Sequence, residues 1–461
     1  MTVQESIDGQ CRAGAQTLES PIWHHMTPLT KGARPQRIVR GEGMQVWNDA
    51  GRAHLDATSG GVWCVNVGYG RREIADAVHG QLMELCYFAQ TVETPPAEAL
   101  ARKLIEKMPG MGRAFFSNSG SESNEKAFKL VRQLAAKKHG GRKHKILYRE
   151  RDYHGTTIAC LSATGQEQRR DQYGPFVPGF VEVPHCCEYR SQWGEVENYG
   201  QRAADEIERV ILQEGPDTVA ALCLEPITAG GGVITPPDGY WSRVQEICRK
   251  YDVLLHIDEV VCGLGRTGQW FGYQHYGIQP DIVTLAKGLA SGYAAISAMV
   301  TTDALFDAIH EPATTPELDY FRDISTFGGC AGGLAAALSN IEIIERENLV
   351  SNAAVMGDLL LERLNVLKRQ HSTIGDVRGK GLFAGIELVA DRDTREPVHE
   401  SYAAAVVAHC MEQGVIIGRT NRSFNRFNNT LCLSPALIVD ADAIERIVGA
   451  IDLALREIPR P

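Results

Sequence analysis

The sequence predicts an α/β fold: a large domain with a mainly parallel sheet over residues 72–340, and a smaller α+β domain assembled from residues 1–71 and 341–461. Three observations carry this expectation. Short apolar runs of strand length alternate with longer helical stretches through the middle of the chain, the pattern of a parallel sheet covered by helices. The length, 461 residues, suits two or three structural units at about 150 residues each. Glycine is abundant, with 46 residues against a usual share of about 7% and no matching rise in proline. Such a surplus suits tight strand-to-helix turns and backbone that approaches a ligand closely.

Taken in order, residues 1–40 are polar and loop-rich, with Trp23-His24-His25 near Pro28 and Pro35. Residues 38–56 turn at Gly41, Gly43 and Asn48-Asp49 and read as short antiparallel strands. From about residue 72, Ile74, Ala77, Val78, Leu82 and Leu85 recur at helical spacing. Pro95-Pro96 reads as a stop signal, followed by a second helix over 97–108. Core strands are expected at 113–116, 145–148, 219–224, 253–257, 282–285 and 296–300. Residues 349–370 are strongly helical. Beyond them GLFAGIELV, a helix near 401–413, GVIIGR and TLCLSPALIV form the smaller unit. The N-terminal segment completes it, because neither piece is large enough to bury a core alone.

Several function classes are excluded at this level. A net charge of −10 argues against a general nucleic-acid surface. No apolar run approaches the roughly 18 residues of a membrane span. The opening MTVQESIDGQCRAGAQ has no apolar core, so no secretory signal is read there. The 12 cysteines show no C-x-x-C spacing and read as reduced thiols of a cytoplasmic protein. No Cys/His set has zinc spacing, so no metal site is expected. Gly263–Gly268 matches G-x-G-x-x-G, but the dinucleotide version must open a helix. Here it runs into Gln269-Trp270-Phe271-Gly272-Tyr273, which is not helix-patterned.

The informative residues lie at strand ends. Lys287 follows the apolar run Ile282–Leu285 and precedes Gly288. Burial would lower its pKa and make the neutral amine available for a Schiff base. Asp258, with Glu259 after it, ends another core strand 29 residues earlier, and a right-handed crossover would bring both ends to one sheet edge. A carboxylate beside a Schiff-base lysine is what pyridoxal 5'-phosphate requires, because the carboxylate keeps the pyridine nitrogen protonated. The stretch FFSNSGSE supplies a phosphate site: Ser119 and Glu122 fit a capping box, and the N–H groups of Gly120 and Ser121 lie at the positive end of a helix over 124–136. Tyr153, in Tyr153-His154-Gly155, offers an aromatic face to a flat ring.

With these residues in place, the sequence resembles a class III (ω-amino acid) aminotransferase of fold type I over nearly its whole length. NSGSESNEKAFK, YHGTT, LEPITAGGGV, HIDEVVCGLGRTG, DIVTLAKGL and STFGG carry the likeness. SGGVWCVNVGYG and TFGGC look most like the taurine:pyruvate and ω-amino acid:pyruvate branch. Two stretches depart from the commonest family wording, SESN in place of SEAN and Cys330 where many relatives have His. The resemblance implies that Lys287 carries the cofactor and shuttles the proton. Asp258 would pair with the pyridine nitrogen, Tyr153 would cover one ring face and Val260 the other. Ser119, Gly120, Ser121, His154 and Glu225 would complete the cofactor site, joined by Thr326 from a second subunit. The implied assembly is a homodimer with a shared active site, or a tetramer of such dimers.

The implied reaction moves the amino group of an ω-amino acid or amine, taurine or β-alanine favoured, to pyruvate, giving alanine and an aldehyde. In this family an arginine often binds the acid group and otherwise swings to a glutamate. Arg419, closing GVIIGR, is the expected arginine and Glu225 the glutamate, with Arg422 and Arg426 as alternatives. Trp63 and Trp23 are expected as apolar pocket walls. The rival readings are a broad amine:pyruvate transaminase for neutral amines, a pyridoxal-phosphate decarboxylase or mutase, and a non-enzymatic binding protein on the same scaffold.

Overall fold

Three sheets organise the computed structural model, which describes residues 21–27, 36–310, 315, 317–420 and 428–459. The chain divides after Arg37, and residues 38–461 form one compact unit. In the other unit, residues 21–27 are turns and bends, and Trp23 is exposed.

The first sheet joins strands distant in sequence. Strands β1 (Ile38–Glu42), β2 (Gln45–Asn48) and β3 (Ala53–Asp56) form an antiparallel meander. The central sheet contains β4 (Arg113–Ser117), β5 (Lys145–Arg149), β6 (Phe180–Val183), β7 (Val219–Leu224), β8 (Leu254–Asp258), β9 (Ile282–Leu285) and β10 (Ser297–Thr301). Its order is β4-β10-β9-β8-β7-β5-β6, with β10 alone antiparallel to both its neighbours. Every residue of β7, β9 and β10 is buried, as continuous apolar runs between two helical layers require. The third sheet takes β11 (Ile374–Lys380), β12 (Phe383–Leu388), β14 (Gly418–Arg419) and β15 (Thr430–Leu433) in the order β11-β12-β15-β14. Between them, β13 (Val415–Ile416) pairs in parallel with β3, so strands from both ends of the chain share a sheet.

Local sequence explains where elements begin. The helix Pro95–Lys107 starts at the proline pair itself, correcting its reading as a stop: the first helical positions need no N–H partner, so proline is tolerated there. The helix after β4 runs Gly120–His139, four residues earlier than the 124 expected, and ends at left-handed Gly140. Strand β6 was not expected; it is a four-residue edge strand with only Val183 fully buried, so its sequence carries little strand pattern. The Gly263–Gly268 stretch opens no helix, in line with the rejection of a dinucleotide motif. Among the described residues every cysteine is free, no helix is long and apolar enough to cross a membrane, and no three-residue His/Cys/Asp/Glu group could hold a metal ion.

Candidate active site

The carboxyl ends of β4, β5, β7, β8 and β9 open onto one cavity of about 310 Å³. That edge of an open α/β sheet is where ligands bind, because successive strand ends deliver loops to a common crevice. Ser119, Gly120, Ser121, Tyr153, His154, Glu225, Asp258, Val260 and Lys287 all line it.

Asp258 is buried at the end of its strand. As the last residue of β8 it stands beside Thr284 of the parallel neighbour β9, whose continuation carries Lys287. Its Oδ2 accepts from Asn124 Nδ2 at 2.8 Å and from His154 Nδ1 at 2.8 Å, and Oδ1 accepts from the Val260 N–H at 3.0 Å. Burial alone would push this carboxyl up, but the His154 hydrogen bond and charge outweigh it, aided by His256 and the Asn124 amide. The net shift is downward, so Asp258 stays ionised. Asn124 is itself fixed, donating to the His154 carbonyl at 2.7 Å and accepting from the Thr284 hydroxyl at 2.8 Å. With Nδ1 donating to Asp258, His154 Nε2 is buried without a hydrogen-bond partner. Sequence reasoning missed Asn124; it reads as an ordinary helix residue until the fold brings it to Asp258.

Lys287 follows Ala286 at the end of β9 with φ at +42°, the left-handed region a side chain rarely adopts. Residues held this way cluster at functional sites. Burial pushes its amine down from the ordinary lysine value, which favours the neutral nucleophile. Its Nζ lies 5.9 Å from the centre of the Trp63 ring, and Trp63 meets Phe383 edge-on at 5.9 Å.

The anion end is built by the Gly120–His139 helix. Its first N–H groups have no partner within the helix, and the dipole there favours negative charge. Ser119 Oγ accepts from the Glu122 N–H at 3.2 Å, as a capping residue should. The Glu122 carboxylate does not close the box onto Ser119, however; it reaches one residue further, to the Asn118 N–H at 3.1 Å and the Ser325 hydroxyl at 3.1 Å. Ser325 precedes Thr326, which is exposed in a short helical turn, Thr326–Gly329. A Cβ on Gly120 would stand 3.0 and 3.1 Å from the Val260 methyls, so glycine keeps this wall of the cavity open.

Tyr153 and Glu225 are locked together. Glu225 Oε1 accepts from the Tyr153 N–H at 2.7 Å and Oε2 from the Ala229 N–H at 2.8 Å. In return Asp152 Oδ2 accepts from the Glu225 N–H at 2.9 Å, and the fully buried Arg149 donates to Asp152 at 3.1 Å and to the Glu225 carbonyl at 2.6 Å. Burial, with Asp152 and Asp258 nearby, pushes the Glu225 carboxyl well above the carboxylate range. The Arg169 guanidinium lies 4.3 Å from the Tyr153 ring centre.

The substrate residues are less convergent. Arg419 is half-buried, and its ion partner is Glu400, at 3.8 Å, rather than the expected Glu225, whose oxygens are held by backbone N–H groups. Arg419 is not among the cavity-lining residues. Arg422 and Arg426 lie outside the described residues. Trp63 is likewise not among the cavity-lining residues, although its ring centre lies 5.9 Å from Lys287 Nζ, and Trp23 is exposed in the N-terminal unit.

A model of the aminotransferase class-III family matches residues 30–455. The chain is 63% identical over 439 residues to the hypotaurine/taurine–pyruvate aminotransferase of Paracoccus denitrificans, covering 95% of each chain. It is 60% identical over 439 residues to the taurine–pyruvate aminotransferase of Rhodobacter capsulatus, again covering 95% of each. Among solved structures it resembles the ω-transaminase of Pseudomonas jessenii in complex with PMP, with a TM-score of 0.88, 36% identity, and coverage of 94% of this chain and 96% of that one. Pyridoxal phosphate, the cofactor of such enzymes, fits the residues present. The ionised Asp258 suits a protonated ring nitrogen, the Gly120 cradle and helix end suit a phosphate, and Lys287 offers its amine in the same cavity. The fold is that of the fold type I transaminases, and the chain belongs to the class-III aminotransferases, as a pyridoxal-phosphate-dependent transaminase.

Proposed function

We propose that this enzyme moves the amino group of taurine, or of a related ω-amino acid such as β-alanine, to pyruvate, giving alanine and an aldehyde. The observation that carries the choice of substrates is the 63% identity, over 95% of both chains, with the Paracoccus hypotaurine/taurine–pyruvate aminotransferase. Bound pyridoxal phosphate supplies the electron sink and carries the amino group between the two half-reactions. The chain's own residues do the rest. Lys287 Nζ takes the proton from the amine-bearing carbon of the donor and later delivers one to the carbonyl carbon of pyruvate. Asp258, kept ionised by His154 and Asn124, holds the ring nitrogen protonated. Tyr153 and Val260 bracket the ring, and Glu225 fixes the Tyr153 backbone from below. Ser119, Gly120 and Ser121 hold the phosphate, with Thr326 of the partner subunit.

That last role requires a homodimer with a shared site, open to pairing into a tetramer. Exposed apolar side chains support it: Phe88 and Phe327 are 50% and 66% exposed. Phe88 and Phe327 flank one seam, where the Phe88 N–H donates to the Gly329 carbonyl at 3.4 Å and Gln90 Nε2 to the Gly328 carbonyl at 2.6 Å. Arg419 is proposed as the group that reads the acid of taurine and pyruvate, because its planar fork makes two bonds to a carboxylate or sulfonate. The enzyme is proposed to be cytoplasmic, with its buried thiols reduced, and with a large domain of residues 72–340 and a small one from the two ends.

The test mixes the purified holoenzyme with taurine, β-alanine, GABA or a neutral amine and follows the visible band of the bound cofactor. Bleaching by taurine that pyruvate restores, with alanine appearing, supports the proposal. Bleaching by neutral amines alone selects the broad amine transaminase instead. Release of CO2 without need of a keto acid selects a decarboxylase.

A further inference from the structure

The loop from Ser59 to Trp63 packs four left-handed residues into five positions. Ser59, Gly60, Gly61 and Trp63 have φ of +50, +81, +84 and +63°. Glycine takes this geometry freely, but Ser59 and Trp63 carry a Cβ and take it at a cost. Such backbone persists only where its surroundings over-determine it.

Two buried charged groups do so here. Asp56 ends β3, and its carboxylate accepts four hydrogen bonds. Oδ1 takes the Thr58 N–H at 2.8 Å and the Thr58 hydroxyl at 2.5 Å; Oδ2 takes the Gly60 N–H at 2.7 Å and the Tyr69 hydroxyl at 2.7 Å. The Thr58 hydroxyl in turn accepts from the Gly61 N–H at 2.9 Å. Arg266, fully buried within the Gly263–Gly268 stretch, braces the other side. Its Nη2 donates to Ser59 Oγ at 3.0 Å and Asn66 Oδ1 at 2.7 Å, and its Nη1 to the carbonyls of Leu382 at 3.2 Å and Pro435 at 2.5 Å. Ser59 Oγ donates onward to the Ser434 carbonyl at 2.6 Å.

The braced loop ends at the chemistry. Trp63 points its ring to within 5.9 Å of Lys287 Nζ and is backed by Phe383, the residue after Leu382. Beyond it, the Asn66 amide would stand 2.5 Å from a Cβ on Gly288, the neighbour of Lys287.

We propose that Asp56 and Arg266 are specificity-determining positioning residues that hold Trp63 across Lys287 and thereby set the width of the donor pocket. The inference rests on the proposed transaminase reading and on the sequence expectation that Trp63 walls the donor pocket beside Lys287. The carboxylate is required, since an amide at position 56 offers one acceptor oxygen where the loop uses two. Freed of these bonds, Trp63 relaxes towards ordinary backbone geometry, and the pocket admits wider donors while gripping small ones less well. A merely structural role lowers activity on every donor alike.

The test measures kcat/KM of the holoenzyme for taurine and for 1-phenylethylamine, a bulky neutral amine, with pyruvate held constant. Trp63→Ala is expected to move the ratio towards the bulky donor by about tenfold. Asp56→Asn moves it the same way by about fivefold, and Ser59→Ala, which removes the Arg266 contact, and Tyr69→Phe, which removes one bond to Asp56, by about twofold each. Combined with Trp63→Ala, Asp56→Asn adds no further shift in the ratio. If Asp56→Asn fails to fold, the two milder variants still decide. The proposal is overturned if Trp63→Ala moves the ratio while the loop variants lower both donors equally. If Trp63→Ala itself leaves the ratio unchanged, the role of Trp63 falls, and the loop's role falls with it.

Discussion

Lys287 joins a left-handed backbone to an amine that burial pushes towards neutrality, and both features come from its place just past the end of a fully buried strand. Removing the amine should remove the proposed proton shuttle while leaving the strand untouched. Lys287→Ala is expected to cut turnover by about 10³-fold or more, with an unchanged melting temperature for the apoprotein. Residual activity within tenfold of wild type would show that another group moves the proton. Gly120 tests the other end of the cavity. Its φ is ordinary, so a methyl there meets only the Val260 side chain at 3.0 and 3.1 Å, and those methyls must yield by a few tenths of an ångström. Gly120→Ala should weaken cofactor binding about tenfold, roughly 1.4 kcal/mol, measured by titrating the apoprotein; an unchanged Kd would mean that Val260 gives way freely. At this scale the residues proposed to act directly were legible as candidates, because Lys287, Asp258 and Ser119–Ser121 each sit in a local strand-end pattern, and the fold brings them to one cavity. Their supports were not. Asn124 reaches Asp258 across 134 residues and Arg266 reaches Ser59 across 207, and only the topology makes them neighbours.

Helix starts decide how the strand ends are presented. The Gly120–His139 helix is capped by the Ser119 hydroxyl and tied to the Ser325 turn through Glu122, so one acidic side chain links the helix start proposed to hold the phosphate to the segment bearing Thr326. Ser119→Ala should cost about 1 kcal/mol of stability, readable as a lower denaturant midpoint at constant m-value. A loss near zero would mean that Glu122 alone orders the helix start. The sequence patterns located this helix but began it late, since Gly120 and Ser121 have weak helix propensity and the cap wins over propensity. The proline pair at 95–96 misled for a related reason: the same residue that breaks a helix interior suits its first turn. Parallel strands were easy to find because burial on both faces makes them uninterrupted apolar runs, whereas the edge strand Phe180–Val183 keeps only one residue fully buried and shows no such run.

Across the whole molecule, two features bind distant segments. The buried Glu387 of β12 accepts from Arg190 Nε at 2.5 Å and Arg378 Nη1 at 2.6 Å, pinning the segment around Arg190 to the third sheet. Burial opposes its charge, but Arg378, Arg190 and Arg151 prevail and bring the carboxyl from 4.5 down to about 2. A depressed acid stabilises the fold above its unfolded pKa, so this contribution is complete above about pH 4.5 and is lost as pH falls towards 2. Glu387→Gln should lower stability by about 3 kcal/mol near neutrality, because it leaves guanidinium charge buried without its partner. The gap to wild type should narrow only below about pH 4.5, and a gap independent of pH down to 2 would assign the loss to packing. The second feature is the seam between Phe88 and Gly329, bordered by the exposed Phe88 and Phe327. On the proposed dimer, Phe327 is 66% exposed in one chain and one residue from Thr326, so the contact that joins subunits is continuous with the one that completes the neighbour's phosphate site. Phe327→Glu places a charge in that contact and should yield monomers in sedimentation velocity with activity lost in parallel, whereas Thr326→Ala should weaken cofactor binding and leave the dimer intact. A fully active monomer from Phe327→Glu would refute a shared site, because each chain would then hold its cofactor with its own residues alone.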